Sequence, residues 1–177
     1  TLLSPLVSSL ERVELINYVF EIEKFCQLHT FKKLSLDAAK SLIEIHVDLK
    51  LYNTMMSRDL NFRPADISSA LKAHNSEEYI QRLFSKGDDE VPDIIKEKKP
   101  ILNCASHNLM AYSIPIWESF GDRVVMIQVI RHPLYMVRQN IVNFENTVNS
   151  PKDFTLHYLY NNSSLPYFVQ GWGEDYL

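Results

Sequence analysis

The sequence predicts one α/β domain, a helix-rich, three-layer arrangement around a short parallel sheet. Three observations carry this. Ile101 to Asn140 reads as strand, helix, strand and a turn opening another helix, which is one half of a nucleotide-binding fold. Leu36 to Met55 repeats apolar residues at intervals of three and four, the mark of a long amphipathic helix. The 177 residues, 46% hydrophobic and 23% charged, suffice for a single domain, 1–177, with a real core.

Taken in order, Thr1 to Ser9 places Leu2, Leu3, Leu6 and Val7 on one helical face, with Pro5 tolerable near a helix start. Val13 to Ile16 reads as a short strand. Val19, Phe20, Ile22, Phe25, Cys26 and Leu28 then form a helix, with Glu21 and Glu23 near its start. Ser35 caps the long helix that comes next. Phe62 to Pro64 breaks the chain. Ile67 to Ala73 and Ser76 to Lys86 read as two shorter helices, the second capped by Asn75 or Ser76, carrying Glu77 and Glu78 in its first turn and ended by Gly87. Pro92 opens a small helix to Lys99, and Pro100 hands the chain to the apolar run Ile101 to Ala105. Ser106, His107 and Asn108 make a polar break before a helix from Leu109 to Phe120, closed by Gly121. Val124 to Ile130, V-V-M-I-Q-V-I, is almost wholly apolar and β-favouring, as a strand covered on both faces should be. A helix begins after Pro133 and closes at Asn149 to Pro151. Phe154 to Leu177 is Tyr-rich, with a loop at Asn161 to Ser164 and a break at Pro166.

A net charge of −4 supplies no basic footprint, which argues against a nucleic-acid partner. The two cysteines, Cys26 and Cys104, form neither a metal pattern nor a disulfide framework and read as reduced, buried thiols. The histidines lack metal-ligand spacing, so no metal is expected. No apolar run approaches the roughly 18 residues that span a bilayer, and no signal peptide is visible.

Arg131 is the strongest single candidate. Ligands of open α/β sheets bind at the carboxyl ends of strands, and a guanidinium leaving the Val124 to Ile130 strand suits phosphate oxygens. An Arg there serves equally as a helix cap or an ion-pair partner of a nearby Asp. Both readings stand on position and charge.

The stretch Val124 to Asn140, V-V-M-I-Q-V-I-R-H-P-L-Y-M-V-R-Q-N, resembles the strand-turn-helix of sulfotransferases that use 3′-phosphoadenosine 5′-phosphosulfate (PAPS). In that family an Arg at the strand end and a Ser eight residues later bind the cofactor's 3′-phosphate. Arg131, His132 and Pro133 match the turn. Gln139 stands where the Ser would, with an amide able to donate to a phosphate oxygen, and Arg138 beside it adds charge. Thr1, Leu2 and Leu3 resemble the residues immediately after the family's P-loop-like segment, which cradles the 5′-phosphosulfate at a helix start. The resemblance covers Thr1 to Val19 loosely and Lys99 to Phe144 well.

It implies a P-loop NTPase-like sulfotransferase topology truncated at both ends, with Thr1 a remnant of the phosphosulfate loop and the loop itself ahead of it. Such a piece is expected to bind PAPS poorly. The implied chemistry is metal-free transfer of a sulfuryl group to a hydroxyl or amine of a small-molecule or glycan acceptor. Its base is His107, at the end of the strand before the motif, or alternatively Glu21 or Glu23. The implied location is the cytoplasm, or the Golgi lumen in a eukaryote. Two other readings stand beside it: a non-catalytic α/β interaction module, and a relative of P-loop nucleotide kinases. Neither the acceptor nor the oligomeric state has a signature in the sequence.

Overall fold

The computed structural model describes residues 3–106, 109–130, 132–138, 141, 157–160 and 162–166. They fall in two units, Thr1–Val124 and Val125–Leu177, each taken by itself below.

The first unit begins with α1 (Leu3–Ser8), a two-residue strand β1 (Asn17–Tyr18) and α2 (Phe20–Thr30), which has Glu21 and Glu23 in its first turn and His29 in its last, as the helix dipole favours. Next comes α3 (Leu36–Met55), capped as its sequence predicts: Ser35 Oγ accepts the Ala38 N–H at 3.2 Å. The helix expected over Ile67 to Ala73 shrinks to a single 3-10 turn, Ala70–Lys72. The chain continues through α4 (Ser76–Arg82) and α5 (Val91–Lys98), the latter with Pro92 in its first turn and closed by Lys99 in the left-handed region. After β2 (Cys104–Ala105), the single helix expected from Leu109 to Phe120 divides into a 3-10 segment, Leu109–Tyr112, and α6 (Ile114–Phe120). Pro115 is the cause. It has no N–H with which to continue a preceding helix, but it suits a helix start.

β1 and β2 pair in parallel, Asn17 opposite Cys104 and Tyr18 opposite Ala105, and a further parallel bridge joins Val13 to Ile101. Backbone bonds run between the two segments from Ile101 N to Arg12 O at 2.7 Å as far as Val19 N to Ala105 O at 3.3 Å. Between the two pairings the first segment holds one residue more than the second, so the chain bulges around Leu15. Side chains satisfy the bulged backbone. Leu15 N–H donates to the Tyr79 hydroxyl at 3.2 Å, and its carbonyl accepts from Asn17 Nδ2 at 3.1 Å. Arg82 grips Glu14 with two bonds, at 2.6 and 3.0 Å, and Glu78 with a third at 2.9 Å. Lys98 reaches Glu78 at 3.0 Å, which brings α5 into the same network.

The core lies between α2, α3 and α6, where Val19, Ile22, Cys26, Ile43 and Ile116 are buried together. Each such aliphatic side chain contributes about 1.5–3 kcal/mol of burial. Asn17 Nδ2 also donates to Thr54 Oγ1 at 3.3 Å, tying the sheet to the end of α3. Of the apolar face expected of α1, Val7 is half-buried and Leu2 lies outside the described residues. Leu3 and Leu6 are exposed, and the buried residue is Ser8, which bonds to Glu14 O and Asn103 Nδ2. Cys26 is buried as expected, whereas Cys104 is exposed; both are free thiols.

Over Val124 to Ile130, where the sequence predicts a strand covered on both faces, the described residues form no strand, and Val125, Ile127, Val129 and Ile130 are exposed. A parallel strand needs a neighbour for its N–H and C=O groups, and the described residues supply none. In the second unit residues 133–138 are helical, and His132 opens that turn by accepting Leu134 N–H on its ring Nδ1 at 3.3 Å. Of the loop expected at Asn161 to Ser164, Asn161 lies outside the described residues, Asn162 is in a hairpin turn, and Ser163 and Ser164 belong to its second strand. β3 (His157–Tyr160) and β4 (Ser163–Pro166) pair antiparallel, and Asn162 adopts the positive φ that two-residue hairpin turns favour. Pro166 stands in the last pair, where a missing N–H is tolerated.

Candidate functional site

Parallel strands bring their C-terminal ends to one edge, and the chain of the first unit turns there from β1 into α2. Val19, 1% exposed, closes the ladder and acts as the N-cap of α2 with no side-chain hydrogen bond. On either side of it Tyr18 and Phe20 lie with their rings nearly parallel, 6.1 Å between centroids, both partly open to solvent. The carboxylates of the first turn come next, and helix periodicity sends them to different surroundings.

Glu23 is 4% exposed and points into the core side of α2. Its neighbours register its charge. The Cys26 thiol is pushed up to about 12, by burial first and by the Glu23 carboxylate second. The Tyr112 hydroxyl is raised by the same two causes. Cys26 therefore stays a protonated, inert thiol. A carboxylate enclosed in this way has little access to an acceptor.

Glu21 faces outward, its side chain 56% exposed, and its Oε2 lies 3.5 Å from Nε2 of His46, a residue of α3. His46 is 23% exposed and packs edge-on against Phe25, with ring centroids 6.2 Å apart. Its Nε2 is inaccessible to solvent and makes no hydrogen bond of ordinary geometry, so the Glu21 carboxylate is a polar neighbour at the edge of bonding range. The structure thus brings together one expected residue, Glu21, and one with no expected role, His46. A lone histidine in a helix gives no sign of its partner; only the packing of α2 on α3 supplies it.

The other expected site residues are distributed differently. His107, Arg131, Gln139 and Thr1 lie outside the described residues. Arg138 is exposed on helical residues 133–138 of the second unit. Among the described residues no group of three His, Cys, Asp or Glu side chains is arranged to hold a metal ion, and no helix is long and apolar enough to cross a membrane. Comparison with known proteins finds no matching family model, no matching curated protein and no matching solved structure.

Proposed function

We propose that the protein is a PAPS-dependent sulfotransferase acting on a hydroxyl or amine of a small-molecule or glycan acceptor, with Glu21 as the base. The observation that carries the reading is an accessible carboxylate at the C-terminal edge of a parallel strand pair, the edge where open α/β sheets bind ligands. The Arg-His-Pro turn supplies the choice of cofactor. An anionic cofactor needs cations and helix-opening amides within reach of solvent. Exposed Arg138, and the helix opened by His132, fit that need in the second unit. Under this reading Arg131 and Gln139 hold the 3′-phosphate and Thr1 belongs to the 5′ end.

PAPS, when bound, supplies the sulfuryl group and departs as adenosine 3′,5′-bisphosphate. The Glu21 carboxylate takes the proton of the acceptor O–H or N–H as the bond from that oxygen or nitrogen to sulfur forms. Arg131, with Arg138 adding charge, serves to hold the cofactor by its 3′-phosphate, away from the reacting end, and rate comes from positioning and charge stabilisation, as in phosphoryl transfer. His107 remains the other base compatible with the family's pattern.

Calorimetric titration of the full-length protein, with any residues that precede Thr1 in its gene, against adenosine 3′,5′-bisphosphate tests this. Binding is expected, weakened ~10-fold or more by Arg131→Ala through loss of a charge-assisted bond. No heat, or heat indifferent to that substitution, ends the sulfotransferase reading. A second reading, a non-catalytic interaction module, is favoured by the exposure of Val125, Ile127, Val129 and Ile130 in one uncharged run. It requires that the titration show nothing.

A further inference from the structure

We infer that His46 is the positioning residue of the reaction, an imidazole on α3 that fixes one oxygen of Glu21 and leaves the other to receive the acceptor's proton. The inference rests on the assignment of Glu21 as the base in the sulfotransferase reading.

Distance, burial and packing all bear on it. Nε2 of His46 lies 3.5 Å from Glu21 Oε2, and it has no hydrogen-bond partner of ordinary geometry. A buried ring nitrogen left unbonded is costly, so closing this contact into a bond is favourable. Bonds between catalytic groups are commonly long before substrate binds and tighten afterwards. The pair also spans the surface. Glu21 is 56% exposed, the state needed to meet an acceptor, while His46 is 23% exposed and held edge-on by Phe25. The accessible partner is thus the less packed one, and its neighbour is held in place by Phe25. An isolated Glu on a first helical turn samples several rotamers, and a fixed N–H donor selects among them. His46 presents that donor either as the neutral Nε2–H tautomer or as the imidazolium.

PAPS hydrolysis, with water as the acceptor, tests this without knowledge of the natural acceptor. The full-length protein, with any residues that precede Thr1 in its gene, is compared with His46→Leu and His46→Gln, with adenosine 3′,5′-bisphosphate affinity and melting temperature measured in parallel. His46→Leu is expected to lower kcat ~10–100-fold, the scale of a misplaced catalytic group, with KM and bisphosphate affinity unchanged. His46→Gln, whose amide N–H₂ reaches the region of Nε2, is expected to recover most of that loss. Equal kcat in all three proteins overturns the inference and leaves the sulfotransferase reading standing. Equal losses of kcat and melting temperature in both variants also overturn it, making His46 a packing residue. A wild type that binds no bisphosphate, or binds it and hydrolyses no PAPS, overturns the base assignment and the inference together.

Discussion

Two stretches of this chain, read as strands over Val13 to Ile16 and over Val124 to Ile130, end differently, the first pairing at Val13 and again beyond its expected end at Asn17 and Tyr18. The segment of residues 13–19 carries Glu14 and Asn17, poor strand formers, yet it runs parallel to residues 101–105 through a ladder and a bulge. Residues 125–130 are apolar and β-favouring almost throughout, yet they form no strand among the described residues and all but Met126 stand exposed. Propensity favours the second stretch; partners favour the first. β-propensity measures how well side chains fit a covered surface rather than a will to pair. In residues 13–19 the polar side chains are themselves the attachment, because Glu14 meets Arg82 and Asn17 meets Thr54.

The sharpest way to break this contrast is Arg82→Ala. It leaves Glu14, whose side chain is 6% exposed, buried with its charge unmatched. A loss of about 3–5 kcal/mol is expected in urea unfolding, as for other buried pairs deprived of one partner. A loss under ~1 kcal/mol, the range of surface pairs, would mean that the Arg82–Glu14 pair does not hold the bulge.

Acid should weaken the same network, by less. Burial by itself would raise the Glu78 carboxyl, but hydrogen bonds from Lys98 and Arg82 outweigh it and hold the group down to about 2, against an ordinary value of 4.5. A depressed carboxyl stabilises the fold fully above its unfolded value, and that stability drains away as pH falls from about 4.5 toward 2. Glu78 is 35% exposed, so solvent screening reduces its share. Melting temperature should therefore decline across that window in wild type and decline less in Arg82→Ala. Parallel slopes in the two proteins would refute the coupling.

The smallest effect is expected in the unpaired stretch. Ile127→Thr, at a residue 55% exposed, should change unfolding free energy by no more than ~0.5 kcal/mol. A loss of ~2 kcal/mol or more would show that residues 125–130 are covered in solution, as their composition suggests.

Legibility in the sequence divides in the same way, between local and distant causes. Ser35, the three-four spacing of α3 and Pro92 act within a turn of where they stand, and the elements they predict form as expected, as does the helix end that Gly121 predicts. Pro115 is as legible, and its effect on the helix from Leu109 is local too. The bulge is not, because nothing in residues 13–19 announces that Tyr79 and Arg82 will meet it. Glu21 is marked by its place in a motif order, but its difference from Glu23 is a matter of which face of α2 meets the core. The contact with His46 needs the crossing of two helices, which no short pattern encodes.

The parallel ladder has a consequence for how the chain reaches this state. Its two segments are far apart in sequence; Arg12 Nε bonds to Lys99 O across 87 residues. Closing so long a loop carries a large entropic cost, returned by a sheet that is two strands wide among the described residues. Such a sheet makes a poor nucleus. The topology instead favours early assembly of neighbouring helices such as α2 and α3, with the strands meeting late, once the helices between them have shortened the distance to be closed.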